Sequence, residues 1–188
     1  MSTDPTPAFV AIAAAGTEGA LAEELRGFGR EPEGEGARGA LRFGGPGAFL
    51  EPGYRAALHS RIASRVLLPL HRFPLPADER DAADVLYEQV RTVDWTGHLG
   101  ATGTLAVEAV AARERRAHTR FLALRTKDAV VDALRDAWGT RPDVDVRAPD
   151  LPLHLHWGAE AATLSVDVLG VPLHRRGLRP KGAAAPLR

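Results

Sequence analysis

Cysteine is absent from this 188-residue chain, which removes disulfides and thiolate-rich metal sites from consideration. Long apolar runs are absent as well. The longest, "AFVAIAAAG" and "VLLPL", fall far short of the roughly 20 residues that a helix needs to cross a bilayer. The opening "MSTDPTPAF" has no basic stretch leading into an apolar core, as a secretory signal would. A cytoplasmic protein with no membrane partner is the expectation. Catalytic signatures are missing too. No serine sits in a Gly-x-Ser-x-Gly elbow. "FGGPGAF" has neither the lysine of a phosphate-binding loop nor dinucleotide spacing after a strand. Seven histidines are present, but His154 and His156, two apart in "LHLHW", have no third ligand at metal-binding spacing. The expectation for these residues is no catalytic residue, no bound cofactor and no metal.

Net charge is zero, yet its distribution is not even. Residues 1–112 hold 10 Arg against 15 acids, and residues 113–188 hold 14 Lys and Arg against 9 acids. The second half is therefore basic, which keeps a nucleic-acid partner open.

The first half alternates strand and helix signals. "AFVAIAA" (Ala8–Ala14) is β-rich, and "TEGALAEELRGFG" follows as a helix with Thr17 as N-cap and Gly29 as stop. A weak strand over Glu31–Glu35 and a clearer one over Ala40–Phe43 come next. "PGAFLEPGYRAALHS" is helical, with Pro52-Gly53 expected to break or kink it. "RIASRVLLPLHRF" is a further strand. The sum is β-α-β-β-α-β, a ferredoxin-like sandwich. Pro74 and Pro76 mark a junction, so a boundary near Pro74–Ala77 is expected between two packed α/β units, with no single sheet running through both. Beyond it the order is α-β-α-β-β. "DERDAADVLYEQVRTV" is a helix, "DWTGHLGATG" a loop carrying one Trp, and "TLAVEAVA" (Thr104–Ala111) a strand. "RFLALRTKDAVVDALRDAW" is a long helix, and "LPLHLHW" with "AATLSVDV" makes a hairpin.

On that long helix Leu124, Val131, Leu134 and Trp138 fall on one side, with Phe121 and Val130 at its edges, while Arg125, Asp132 and Asp136 point away. Lys127 projects into the apolar stripe. Charged lysine is costly out of water. Either its stem packs while its ammonium emerges beside Arg116 and Arg120, or a carboxylate such as Asp150 holds it. Just before the helix lie Arg113, Arg115, Arg116 and Arg120, and Arg125 and Lys127 occupy its first turns. Guanidinium forks suit phosphate oxygens, so these residues are candidate RNA contacts. Arg175, Arg176 and Arg179 in "LHRRGLRPKG" form a second candidate group. The opposing reading is a solvated loop and linker.

The ordered set "RIASRVLLPL", "VDWTGHLGATGTLAVEAV", "RFLALRTKDAVVDALRD", "RPDVDVRAPDLPLHLHW" and "LHRRGLR" resembles the bacterial large-subunit (23S) rRNA guanine-N2 methyltransferases that carry a THUMP domain. The resemblance implies an α/β (α+β) chain with three parts: a ferredoxin-like domain over residues 1–74, a THUMP RNA-binding domain over 75–172, and a linker over 173–188. The linker would lead towards a methyltransferase domain absent from this chain. It further implies structured RNA, 23S rRNA, as partner, and S-adenosylmethionine as the cofactor of the absent domain. That domain's Asp-Pro-x-Cys-Gly-Ser-Gly and Asn-Pro-Pro-Tyr motifs do not occur here. The family's Lys-Asp pair matches Lys127-Asp128. "ARERRAHTRF" carries more arginine than the family's loop. Two alternatives are a THUMP module of a tRNA-modifying enzyme and a protein-interaction scaffold without RNA affinity.

Overall fold

In the computed structural model of the chain, the described residues are 8–33, 38–44, 50–76, 78, 81–115 and 117–175. The chain divides into two compact units, Met1–Leu68 with Asp167–Arg188, and Pro69–Val166. Hydrogen-bonded strand neighbours follow the order β2-β3-β1-β4-β8-β7-β5-β6 in one eight-stranded mixed sheet. That order overturns the expectation of no shared sheet. The reason lies in β4 (Arg65–Pro74), ten residues long. Pro74 and Pro76 end this strand and do not separate two sheets.

The first unit runs β1 (Phe9–Ile12), α1 (Glu18–Gly27), β2 (Pro32–Glu33), β3 (Ala40–Phe43), α2 (Glu51–His59) and then β4. β1 lies between β3 and β4, antiparallel to both, and β2 pairs antiparallel with β3. This is the ferredoxin-like arrangement expected. Strand alternation turns Phe9, Ala11, Leu41 and Phe43 inward, against Leu21 and Leu25 of α1 and Ala56 and Ala57 of α2. The Phe9 and Phe43 rings stack with centroids 5.7 Å apart.

Two local expectations change. Pro52 stands in the first turn of α2, where its missing N–H has no intrahelical partner to lose, so it starts the helix without kinking it. Gly53 lets the helix approach the sheet: a Cβ there would lie 2.2 Å from the Phe9 ring. Thr17 occupies the N-cap position of α1, but its hydroxyl donates 2.7 Å to the Ala14 carbonyl and caps nothing. Gly29 does stop α1. It takes φ +73°, a left-handed conformation that costs glycine little, and the Arg30 amide then returns 2.9 Å to the Leu25 carbonyl. Residues 45–49, which include part of the sequence read as helical, lie outside the described residues.

The second unit contains α3 (Ala82–Arg91), β5 (Thr104–Ala111), α4 (Thr119–Trp138), β6 (Asp143–Val144), β7 (Leu151–Trp157) and β8 (Ala161–Asp167). β5 is parallel to β6 and β7, and β7 pairs antiparallel with β8. The expected hairpin is present, while β6 arises within the connection read as irregular. Leu151, Leu153, Leu155 and Trp157 alternate inward along β7 and pack with Leu86 and Val90 of α3 and Leu122, Val130 and Leu134 of α4. Trp95, read only as part of a loop, is a core residue 2% exposed. Its indole donates 2.9 Å to the Val90 carbonyl, which satisfies the one polar atom that burial would otherwise strand.

Candidate nucleic-acid interface

The site is built on α4 and on the turn that feeds it. His118 opens the helix, its Nδ1 accepting 3.2 Å from the Phe121 amide, and Gly139 closes it at φ +74°. The buried side chains are Leu122, Thr126, Ala129, Val130, Val131 and Leu134, an arc centred near Val130. The apolar stripe read from the sequence is centred about 85–110° away on the helical wheel. Leu124 and Phe121 are consequently half exposed, not inside or at the edge of the core.

The cause of that rotation is α3. Asp132 and Asp136, expected to point away, face it. Tyr87 donates 2.8 Å to Asp132, and Arg91 donates 2.7 Å to Asp136. The Arg125 guanidinium lies 4.2 Å over the Tyr87 ring and donates 2.9 Å to Asp84. Charged residues here form a seam between two helices, so a polar flank on the wheel is a packed one. Arg91 holds the Asp136 carboxyl below its ordinary value through their hydrogen bond, and Asp136 raises Arg91 in return.

Lys127 keeps a quarter of its side chain exposed and pairs with Asp128 at 2.5 Å. The proposed pairing with Asp150 does not occur. Asp150 instead accepts 2.8 Å from the amide and 3.0 Å from the hydroxyl of Thr104, bonds that lower its pKa. The lysine lies towards the flank of the buried arc, beside Leu134. A packed stem with an emerging ammonium is the geometry present.

The basic candidates separate into groups. Arg113 and Arg120 are exposed. Arg115 turns back into the fold, its Nε donating 2.9 Å to the Ala159 carbonyl and its Nη atoms reaching the Pro76 carbonyl at 3.4 Å. It pins the turn that displays Arg113. Arg125 is engaged in the helix seam. Arg116, Arg176 and Arg179, together with the Arg175 side chain, lie outside the described residues. The residue missed by sequence reasoning is Phe121, an exposed ring at the start of α4. A helical wheel alone could have found it only with the position of α3 in hand.

His154 and His156 share one face of β7, the former buried and the latter exposed. Among the described residues, no group of three or more His, Cys, Asp or Glu is placed to hold a metal. No described helix is long and apolar enough to cross a membrane.

Residues 8–67 match the RlmL ferredoxin-like domain, and residues 80–167 match the THUMP domain. The ribosomal RNA large subunit methyltransferase K/L of Syntrophotalea carbinolica is 45% identical over 180 residues, covering 96% of this chain and 24% of that protein. The protein of the same name from Pseudomonas aeruginosa is 45% identical over 173 residues, covering 92% of this chain and 23% of that protein. The chain thus spans about a quarter of the length of these curated relatives. Among solved structures, a predicted N6-adenine-specific DNA methylase from Listeria monocytogenes superposes with TM-score 0.77 at 24% identity, covering 96% of this chain and 45% of the other. TrmN from Thermus thermophilus superposes with TM-score 0.64 at 28% identity, covering 90% and 47%. Two successive stretches of the chain are thus a ferredoxin-like domain, residues 8–67, and a THUMP domain, residues 80–167.

Proposed function

We propose that this chain is the RNA-binding, substrate-targeting part of a large-subunit rRNA methyltransferase that acts on 23S rRNA in the cytoplasm. The observation that carries this reading is the match of nearly the whole chain to about a quarter of the methyltransferase K/L proteins. Methyl transfer then belongs to the remainder of such a protein, a methyltransferase domain of the same polypeptide. S-adenosylmethionine would be bound there. The residues present do not fit that cofactor, since neither the Asp-Pro-x-Cys-Gly-Ser-Gly nor the Asn-Pro-Pro-Tyr motif occurs and cysteine is absent. No chemical step is assigned to this chain.

What the chain contributes is grip. Arg113, on a turn held in place by Arg115, and Arg120, in the first turn of α4, present two guanidinium groups to solvent. Such groups pair with phosphate oxygens and release counterions as they do so. Lys127 extends the proposed surface, whereas Arg125 serves the helix seam first; Arg116, Arg175, Arg176 and Arg179 stay candidate RNA contacts from their sequence alone. Backbone contacts of this kind position a folded RNA without reading its bases.

The test is RNA affinity across a salt series, using a hairpin from 23S rRNA. Arg113→Ala with Arg120→Ala should weaken binding to all RNAs alike and flatten the log–log salt slope by about one to two units. Titration of the chain with S-adenosylmethionine in a calorimeter should give no saturable heat. An unchanged salt slope would remove the proposed surface, and a saturable cofactor site would return chemistry to this chain.

A further inference from the structure

α4 leaves two large apolar side chains in water at its N-terminal end, Phe121 at 50% and Leu124 at 49% exposure. Phe121 forms one wall of a small cleft. Ala82 and Ala83 at the start of α3 line it, with Ala117 and His118 before α4, Leu122, and Trp157 at the end of β7. Apart from His118 the lining side chains are those of apolar or aromatic residues, and the alanines leave room beside the Phe121 ring. His118 is committed to the helix, its Nδ1 accepting from the Phe121 amide, which fixes the backbone that carries the ring.

The surroundings of this cleft are charged. Arg113 and Arg120 are exposed on the same turn and first helical turn. Glu114 on that turn and Asp81 and Asp84 beside the α3 alanines are exposed too, with Asp84 paired to Arg125. An apolar slot with an aromatic wall and guanidinium groups beside it matches the two halves of one nucleotide. A base offers a π face for the ring, and its phosphates offer oxygens for the arginines. A paired base cannot enter, because its faces are already stacked within the helix.

We propose that this cleft takes one unpaired base of RNA, stacked on Phe121, with the adjoining phosphates held by Arg113 and Arg120. The proposal rests on the RNA-binding reading above and adds to it a preference for unpaired nucleotides. A basic patch alone grips any duplex through its backbone. The cleft distinguishes a duplex interrupted by a bulge or loop from one that is fully paired.

The experiment compares a short RNA duplex carrying an unpaired bulge with the same duplex without it, using the full chain. A 2-aminopurine in the bulge reports stacking through fluorescence quenching. The native chain should bind the bulged RNA about tenfold more tightly, in keeping with the usual worth of one base–aromatic stack, and should quench the probe. Phe121→Ala should abolish both the preference and the quenching while leaving affinity for the plain duplex unchanged. Phe121→Trp should restore both. Phe121→Leu, which keeps apolar bulk at this half-exposed position, should behave like Phe121→Ala and controls for folding.

Failure of each reading is separable. If Phe121→Ala leaves the bulge preference intact, or weakens both RNAs equally, the stacking proposal falls and the basic surface stands. If Phe121→Ala changes only the sedimenting mass of the chain, the cleft is an interface between two copies and the proposal is overturned. If the native chain binds neither RNA, the RNA-binding reading falls and takes this proposal with it.

Discussion

Arg113 and Arg125 lie twelve positions apart, and the sequence presents them as members of one basic cluster. The fold gives them opposite circumstances. Arg125 lies over Tyr87, with its guanidinium 2.9 Å from Asp84. Arg113 stands in solvent on a turn. What separates them is α3. It presents Asp84, Tyr87 and Arg91 to the flank of α4 that carries Arg125, Asp132 and Asp136, so each charge there finds a complement. On the turn before α4, Arg113 has no carboxylate partner among the described residues. A charge is available to a partner molecule where the fold supplies no internal complement, and density of arginine along the chain does not reveal that.

The same contrast holds for apolar residues, and breaking it should produce the largest effect. Leu122 is buried within the core of the second unit, whereas Leu124, two residues on, is half exposed. Leu122→Ala should cost about 2–5 kcal/mol of unfolding free energy through lost burial and a cavity. Leu124→Ala should stay within about 0.5 kcal/mol, as surface substitutions do. Urea titrations of both variants check this. Comparable losses would mean that α4 is rotated relative to the arrangement described, back towards the stripe read from the sequence.

A smaller effect is expected at the arginines themselves. Arg125→Met removes the stacking over Tyr87 and the bond to Asp84. The loss should be about 1 kcal/mol, because cation–π contacts at partly exposed sites are modest and Asp84 is largely in water, which screens the ion pair. RNA affinity should change little. Arg113→Met should do the opposite, leaving the melting temperature unchanged while RNA binding weakens. Equal behaviour of the two variants in both measurements would erase the distinction between engaged and displayed arginines.

How much of this was legible beforehand follows the same division. The order β-α-β-β-α-β, the hairpin of β7 and β8, and the limits of β5 and α4 were readable because local patterning determines them. Alternation of Leu151, Leu153, Leu155 and Trp157 sets the inner face of β7 with no knowledge of its neighbours. The face of α4 was not readable. Apolar residues surround much of that helix, and its orientation depends on Tyr87, Arg91 and their carboxylate partners forty-five positions away. Trp95 escaped for a related reason: a short loop sequence does not reveal that its indole docks onto Val90. The two-residue β6 carries too little pattern to stand out, existing only through its pairing with Thr104 and Leu105 of β5. At the candidate site the basic turn was readable as composition, but the exposure of Phe121 beside it required the helix rotation.

Lys127 sharpens the contrast further, at a smaller scale. Its ammonium pairs with Asp128, whose side chain is 47% exposed, so removing the charge strands no buried carboxylate. Lys127→Met should therefore alter stability by no more than about 0.5 kcal/mol, well short of the roughly 3 kcal/mol that breaking a buried pair costs. With its charge already neighboured by a carboxylate, it should lower RNA affinity less than Arg120→Met does. Melting temperature and RNA affinity on the two variants check both statements. A fall in affinity equal to that of Arg120→Met would place Lys127 among the principal phosphate contacts.

The smallest effect concerns acid. The hydrogen bond from Arg91 keeps the Asp136 carboxyl below its ordinary value of 3.8 in the folded chain. A carboxyl depressed on folding adds stability at pH above the ordinary value, and that contribution fades as pH falls through it towards the lower folded value. Asp94 and Asp150 are depressed in the same direction by bonds from Thr96 and Thr104. Those two owe nothing to Arg91, so an Arg91→Met variant loses their share in acid just as the native chain does. The difference in melting temperature between native and Arg91→Met chains therefore isolates Asp136. It should be present at pH 6 and shrink as pH is lowered below about 4. Arg91 also lies 5.6 Å from the Tyr87 ring, an attraction that carboxyl protonation does not remove. A gap that stays constant through the acid limb would assign the role of Arg91 to that ring and to packing, and would take the Asp136 bond out of the balance that orients α4 against α3.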